Sequence, residues 1–338
     1  MNLEQLIFEL CAVCGVSGSE APALNTAKKY LEPLAEVSVD NNGNLFAVLG
    51  SKDAYKTILL DAHLDRIGFI ITDIDDKGFV KVDKLGGIDI RTLQDSVLVS
   101  ENGLKGTVCC LPPHLSDGSE DKATPIDKTW VDFGMTKEQA EKQLKIGDTL
   151  TFSTQPRRLL GDKITASALD DRCGVAALIR AAELIDTHDY KVIILLSSQE
   201  ETFGTGAKTG AFSVDADEAV AVDVSFASQP DVSGQYGKIE LGKGPMICIS
   251  SVLSREMSNK LVSVAKERGI PYQLEPISGA TGTNGDHIAV TKGGVKTAVV
   301  SIPQRYMHTP VEVISLSDVE NTAQLIAAYI NCGGAFNG

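Results

Sequence analysis

The chain has 338 residues, 43% hydrophobic and 22% charged, which is ordinary globular usage and excludes a disordered chain. Its 45 acidic against 31 basic residues leave a net charge of −14, so its surface repels phosphate backbones and no nucleic-acid partner is expected. No apolar run approaches the roughly 18 residues of a membrane span, and the N-terminal segment, with Glu4 and Glu9, is unlike a secretory signal.

In chain order, the first 50 residues read as helix, helix, strand. Leu6, Ile7 and Leu10 set a helical pattern that also carries Cys11 and Cys14. This C-x-x-C reads as packed thiols, because no second cysteine pair completes a zinc thiolate set. Seven cysteines over so long a chain make no disulfide framework, and a reduced, cytoplasmic location is the default expectation. Residues 21–34 have helical spacing, and the Asn41-Asn42-Gly43 turn leads into a strand over 44–49. The run from Thr57 to Asp61 suits a strand covered on both faces.

From about residue 68 the texture changes. Segments 69–74, 79–82, 97–100, 106–110 and 149–152 are short and β-like, divided by Gly and Asp turns. A polar stretch over 116–128 and a helix near 136–144 lie between the last two. Closely spaced short strands favour a small barrel or sandwich, so residues 67–162 read as an insertion into a domain made of 1–66 and 163–338. Beyond it strands and helices alternate: helix 171–185, strands 191–196 and 219–223, helix 259–268, strand 297–302, and a closing helix from Ser317 with Glu320 completing a capping box. The expected class is α/β, with a mixed, mostly parallel sheet flanked by helices.

Four of the apolar strands run into metal-competent side chains. They lead to His63, to Glu200 and Glu201, to Asp223 and to His308; Asp170, just before a helix, is a fifth candidate. Ligands of open α/β sheets gather outside the carboxyl ends of the strands. Two histidines and three carboxylates suit Zn²⁺, Co²⁺ or Mn²⁺, and the lack of cysteine argues against a structural zinc site. Five ligands exceed one tetrahedral ion but serve two that share a carboxylate. Ions about 3.5–4 Å apart hold a hydroxide nucleophile and polarise a carbonyl together. Glu200, pointing the other way from Glu201 on an extended strand, suits the general base that passes the water's proton to a leaving amine. Taken singly, each residue has a plainer reading: a packed histidine, a solvated Glu-Glu pair, or Asp170 and Asp171 as helix N-terminal charge. The ordered set favours a metal site. His287 and His114 read as supporting or surface residues, and His188 as solvated.

Several stretches together resemble a known family, the co-catalytic metallo-aminopeptidases of the glutamyl/deblocking type whose members build hollow tetrahedral (TET) assemblies. They are Cys14-Gly15-Val16-Ser17-Gly18, the segment from Ala62 to Phe69, the segment from Ala168 to Gly174, Ser198-Gln199-Glu200-Glu201, Ala221-Val222-Asp223-Val224 and the segment from Ile302 to Pro310. Leu111 to Leu115 and Lys145 to Asp148 match within the insertion. The resemblance implies a zinc-peptidase-like fold and two divalent metal ions held by His63, Asp170, Glu201, Asp223 and His308, with Asp170 bridging. It implies Glu200 as general base and Asp65 as the acid supporting His63. The implied reaction removes N-terminal residues from short peptides, and the implied insertion is a dimerising β-barrel whose dimers close into a homo-dodecamer. Two stretches depart from the family pattern: Thr202 to Ala207, and Gly282-Thr283-Asn284 where Gly-Thr-Asp is usual. Both bear on specificity, and Arg305, Arg255 and Lys243 are the candidate cations for an acidic N-terminal residue. An amidohydrolase, a glycanase, or a non-catalytic self-assembling scaffold are the alternatives on the same frame.

Overall fold

Apolar runs that are too short for helices and lack polar alternation become strands covered on both faces. In the computed structural model, which describes residues 1–51, 54–110, 113–115, 123–186, 190–230, 232–234 and 236–335, the chain opens with α1 (Leu3–Ala12) and α2 (Ala21–Leu31). Asn2 caps α1 by accepting from the Gln5 N–H. Helix α2 stops at Leu31, short of the expected residue 34: Glu32 keeps helical dihedrals as its C-cap, and Pro33 has no N–H with which to continue the ladder. Strands β1 (Glu36–Val39), β2 (Leu45–Gly50) and β3 (Thr57–His63) follow.

Next come β4 (Gly68–Ile74), β5 (Val80–Leu85), β6 (Val97–Ser100), β7 (Lys105–Val108), β8 (Trp130–Asp132) and β9 (Thr149–Phe152). They close into a six-stranded barrel in the order β4-β5-β8-β7-β6-β9, so the barrel, not the sandwich, is realised. Alternate residues point inward, and Phe69, Val80, Leu98, Val131 and Leu150 are fully buried there. Helix α3 (Lys137–Gln143) precedes β9 and starts with a reciprocal capping box between Thr136 and Gln139.

The chain then returns through β10 (Arg157–Arg158), β11 (Lys163–Ala166), α4 (Leu169–Leu184), β12 (Lys191–Ser197), α5 (Thr205–Ser213) and β13 (Glu218–Phe226). It continues with β14 (Met246–Ser250), α6 (Arg255–Arg268), β15 (Gln273–Ile277), α7 (Asn284–Ala289), β16 (Lys296–Gln304), β17 (Glu312–Ser315) and α8 (Leu316–Asn331). Eight strands form one mixed sheet, β1-β2-β12-β3-β13-β16-β14-β15, whose centre from β12 to β16 is parallel. Consecutive strand residues serve opposite cores. Ile58 and Leu60 pack with α1, α4 and α8, whereas Leu59 packs with α5 and α7. The α/β class with a barrel inserted between β3 and the rest of the sheet is borne out.

One detail differs at the end of the chain. Helix α8 begins at Leu316 with no side-chain cap, so the expected box from Ser317 to Glu320 does not form. The Ser317 hydroxyl donates to Asp162 instead, and Glu320 pairs with Arg180. Cys11, Cys14, Cys109, Cys173, Cys248 and Cys332 are free thiols, and burial pushes the Cys11 thiol up to about 12, as befits a packed side chain.

Arg172 ties the first helix to the centre of the molecule. It is fully buried, and its guanidinium donates to the carbonyls of Leu64 (2.6 Å), Leu10 (2.6 Å) and Gly15 (3.3 Å). Arg172→Ala removes the donor from three buried acceptors, so a loss of about 3 kcal/mol or more is expected. A urea midpoint unchanged from wild type would contradict this account of the α1–α4 junction.

Candidate metal centre

The parallel centre of the sheet brings the carboxyl ends of β12, β3, β13 and β16 to one edge. His63 is the last residue of β3 and pairs in register with Ser197 at the end of β12. Asp223 lies on β13, and His308 follows β16 on a loop. Asp170 enters from the start of α4, where residues 170 and 171 are non-helical. The structure thus gathers all five candidate ligands, together with Glu200, around a cavity of about 470 Å³.

Asp170 sits in the middle. Its Oδ1 is 3.1 Å from His63 Nε2 and its Oδ2 is 3.2 Å from His308 Nε2. His308 Nε2 also lies 3.4 Å from Glu201, and His63 Nε2 lies 3.9 Å from Asp223 and 4.0 Å from Glu200. Among the described residues, two sets of potential ligand atoms fall within 4.8 Å of one another: those of His63, Asp170 and Glu201, and those of His63, Asp171 and Asp223. Asp171 is the addition. Single-residue reading treats it as helix N-terminal charge, and its Oδ1 does accept from the Gly174 N–H, but it is fully buried beside the cluster. A Cβ on Gly174 would come within 2.3 Å of that carboxylate, so the close approach requires glycine.

Glu200 does not point away from Glu201 as expected. Strand β12 ends at Ser197, and Gln199 takes a left-handed φ of 57°, so the chain turns and both glutamates face the cavity. Asp65 holds that turn: its carboxylate accepts from the Glu200 N–H (2.9 Å), the Glu201 N–H (3.1 Å) and the Ser17 hydroxyl. The His63 Nδ1–H donates to the Asp65 carbonyl at 3.1 Å, which turns Nε2 toward Asp170. The corresponding partner of His308 comes from the insertion, because its Nδ1–H donates to the Gly87 carbonyl at 3.0 Å.

The electrostatics are those of crowded acids. Burial raises the pKa of Glu200, and burial with the Asp170 charge raises that of Glu201 well above the carboxylate range. Burial likewise lifts Asp171 and Asp223. Burial opposes ionisation of His308 and of Asp170, yet their mutual contact prevails: His308 rises to about 10 and Asp170 falls. Asp171 Oδ2 and Glu201 Oε1 are buried without a hydrogen-bond partner, which is costly for a carboxylate unless a cation meets it. Imidazole and carboxylate donors without thiolate suit Zn²⁺, Co²⁺ or Mn²⁺.

The departure at Asn284 has a local reason. Asn284 is buried, and its amide donates to Asp61 and to the Ser197 hydroxyl, both at 2.9 Å; an aspartate there would set one buried acid against another. Thr281, Gly282 and Thr283 line the cavity with Phe226, Tyr236 and Met307. Arg305, Arg255 and Lys243 do not line it; Arg305 donates to the Ser228 carbonyl. His114 is exposed, His287 packs against Gly204, and His188 lies outside the described residues.

A family model of M42 glutamyl aminopeptidase matches residues 43–325. The lysyl aminopeptidase of Pyrococcus furiosus is 35% identical over 337 residues, covering 96% of this chain and 96% of that protein. Among solved structures, the aminopeptidase APDkam598 from the archaeon Desulfurococcus kamchatkensis shares the fold with a TM-score of 0.91 at 34% identity, over 98% of this chain and 95% of that one. The Pyrococcus horikoshii TET1 peptidase, described as assembling into a tetrahedron or a large octahedral shell, gives 0.86 at 32% identity, over 97% and 98%.

Gly87 supplies a direct test of the site's geometry. A Cβ there would lie 2.7 Å from His308 Nδ1, so Gly87→Ala must displace the ring. Metal affinity is expected to fall about tenfold with the fold intact, read by calorimetric titration with Zn²⁺. Wild-type affinity would show that the His308 ring needs no support from Gly87.

Proposed function

The chain belongs to the M42 glutamyl aminopeptidase family and is an aminopeptidase, and from that premise we propose that it strips N-terminal residues from short peptides with two divalent ions held by His63, Asp170, Glu201, Asp223 and His308. The observation that carries this reading is the Asp170 carboxylate, whose two oxygens face two different imidazoles with Glu200 alongside. Ions bound there supply Lewis acidity toward the scissile carbonyl and make water a stronger acid.

The chain's own groups do the rest. Glu200, largely buried and with its pKa raised by that burial, takes the proton of the attacking water and delivers it to the leaving amine. Asp65 keeps Glu200 within reach by fixing its backbone, and orients His63 from behind. The excess of carboxylates suits the free α-ammonium of a peptide N-terminus. Phe226, Tyr236, Thr281 and Met307 form uncharged walls for the first side chain.

The inserted unit, residues 67–162, serves as the dimerisation surface, and dimers close into a dodecamer; the assembly described for the TET1 peptidase supports this. Among the described residues no helix is long and apolar enough to cross a membrane, and the free, buried thiols of Cys11, Cys173 and Cys248 fit a reducing, cytoplasmic location.

Glu200→Gln is expected to retain both metals and lose at least about a hundredfold in kcat on aminoacyl-p-nitroanilides. Wild-type turnover would remove Glu200 from this role. Chelation should abolish activity on the same substrates, while cleavage restricted to N-acylated peptides would make the enzyme a deacylase.

A further inference from the structure

Glu312 opens β17 and is 1% exposed. Its carboxylate makes no ion pair within 4.0 Å with a described residue; it accepts backbone N–H groups from two directions. Oε2 takes the N–H of Leu169 at 2.7 Å and of Asp170 at 3.3 Å, and Oε1 takes the N–H of His308 at 3.1 Å. The segments it joins are far apart in sequence. One is the non-helical start of α4, and the other is the loop after β16, where Tyr306 and His308 both take positive φ. Neither segment has a regular ladder there to hold it, so the carboxylate replaces one. Two positive groups reach Glu312 by their field, His308 first and then the buried Arg66, whose Nε and Nη2 have no hydrogen-bond partner.

We propose that Glu312 is a positioning residue, a clamp that fixes the distance between Asp170 and His308 and so sets the affinity of the metal position these two share with Glu201. The position at His63 and Asp223 does not depend on it to the same degree, because His63 is held by β3 and Asp65 and Asp223 by β13. This rests on the two-metal reading above. It assigns Glu312 no contact with substrate, and none with the metal.

Glu312→Gln separates the two ends of the clamp. The single amide oxygen can still accept from Leu169 and Asp170, but the NH₂ group then confronts the His308 N–H, donor against donor. Metal-free wild type and variant would be titrated with Co²⁺ by calorimetry, with near-UV circular dichroism and the thermal midpoint recorded on the same samples. Wild type is expected to take up two ions. The variant is expected to bind one ion as wild type does and the other about ten to a hundred times more weakly, with native dichroism. Two wild-type steps in the variant, or two steps weakened alike, would overturn the clamp. Fewer than two ions on the wild type would overturn the two-metal reading itself, and the clamp with it. Should the glutamine variant not fold, Glu312→Asp keeps both oxygens but is one methylene too short to reach both segments. The same selective loss is expected of it, and two wild-type steps there would equally refute the proposal.

Discussion

Asp170 places one carboxylate oxygen 3.1 Å from His63 Nε2 and the other 3.2 Å from His308 Nε2, and the rest of the site is arranged around keeping it there. The two imidazoles arrive on unrelated elements, the end of β3 and a loop beyond β16. A carboxylate spans them only if three separate pieces of backbone are held in place. The parallel register of β12, β3 and β13 does this for His63 and Asp223, since strand ends in one ladder cannot slide independently. It does nothing for Asp170 and His308, which lie outside the ladder. Those two lean on Glu312 at the backbone and, for the His308 ring, on Gly87, while an Arg305–Val313 backbone pair closes the base of the His308 loop.

The Gly87 contact makes the inserted barrel part of the site and not only an appendage to it. Between β5 and β6 the chain leaves the barrel far enough for the Gly87 carbonyl to meet His308 and for Gly87 to line the cavity. Whatever restrains the barrel therefore also restrains one histidine. The two structural units share a hydrogen bond at the place where the chemistry is densest.

Much of this was legible in the sequence because it is written in runs. Apolar stretches ending in His63, Asp223 or the Glu200-Glu201 pair announce buried strands that deliver polar groups to one edge, and the parallel sheet turns that pattern into proximity. Gly and Asp turns at short intervals marked the barrel in the same way. The missed features have no such pattern. Glu312 is a single acid in a mixed segment, Gly87 acts through its carbonyl, and Asp171 is indistinguishable in sequence from a helix-capping charge. The turn that aims Glu200 into the cavity depends on the left-handed φ of Gln199, a conformation that residue type does not advertise. Asn284 shows the converse: a departure from the family pattern that becomes intelligible only once Asp61 is found 2.9 Å away.

The crowding also decides how the site relates to stability. Glu200, Glu201, Asp171 and Asp223 all resist ionisation, because burial and mutual repulsion disfavour the charged forms, and each therefore weakens the fold at neutral pH. The sign follows from the direction of the shifts. A carboxyl raised in the folded state binds its proton more tightly there than when unfolded, so stability falls as pH rises from the ordinary carboxylate range through the raised value. The surrounding structure must absorb that penalty, and it does so with groups outside the cluster: Arg172 on three carbonyls, Asp65 on the Glu200-Glu201 turn, and the aliphatic packing on both faces of the sheet. A divalent cation held there, as proposed, would reverse the balance, because an ion that prefers the folded chain stabilises it by mass action. The same carboxylates would then contribute to stability in proportion to the tightness of that ion, coupling the integrity of this edge of the sheet to its occupancy.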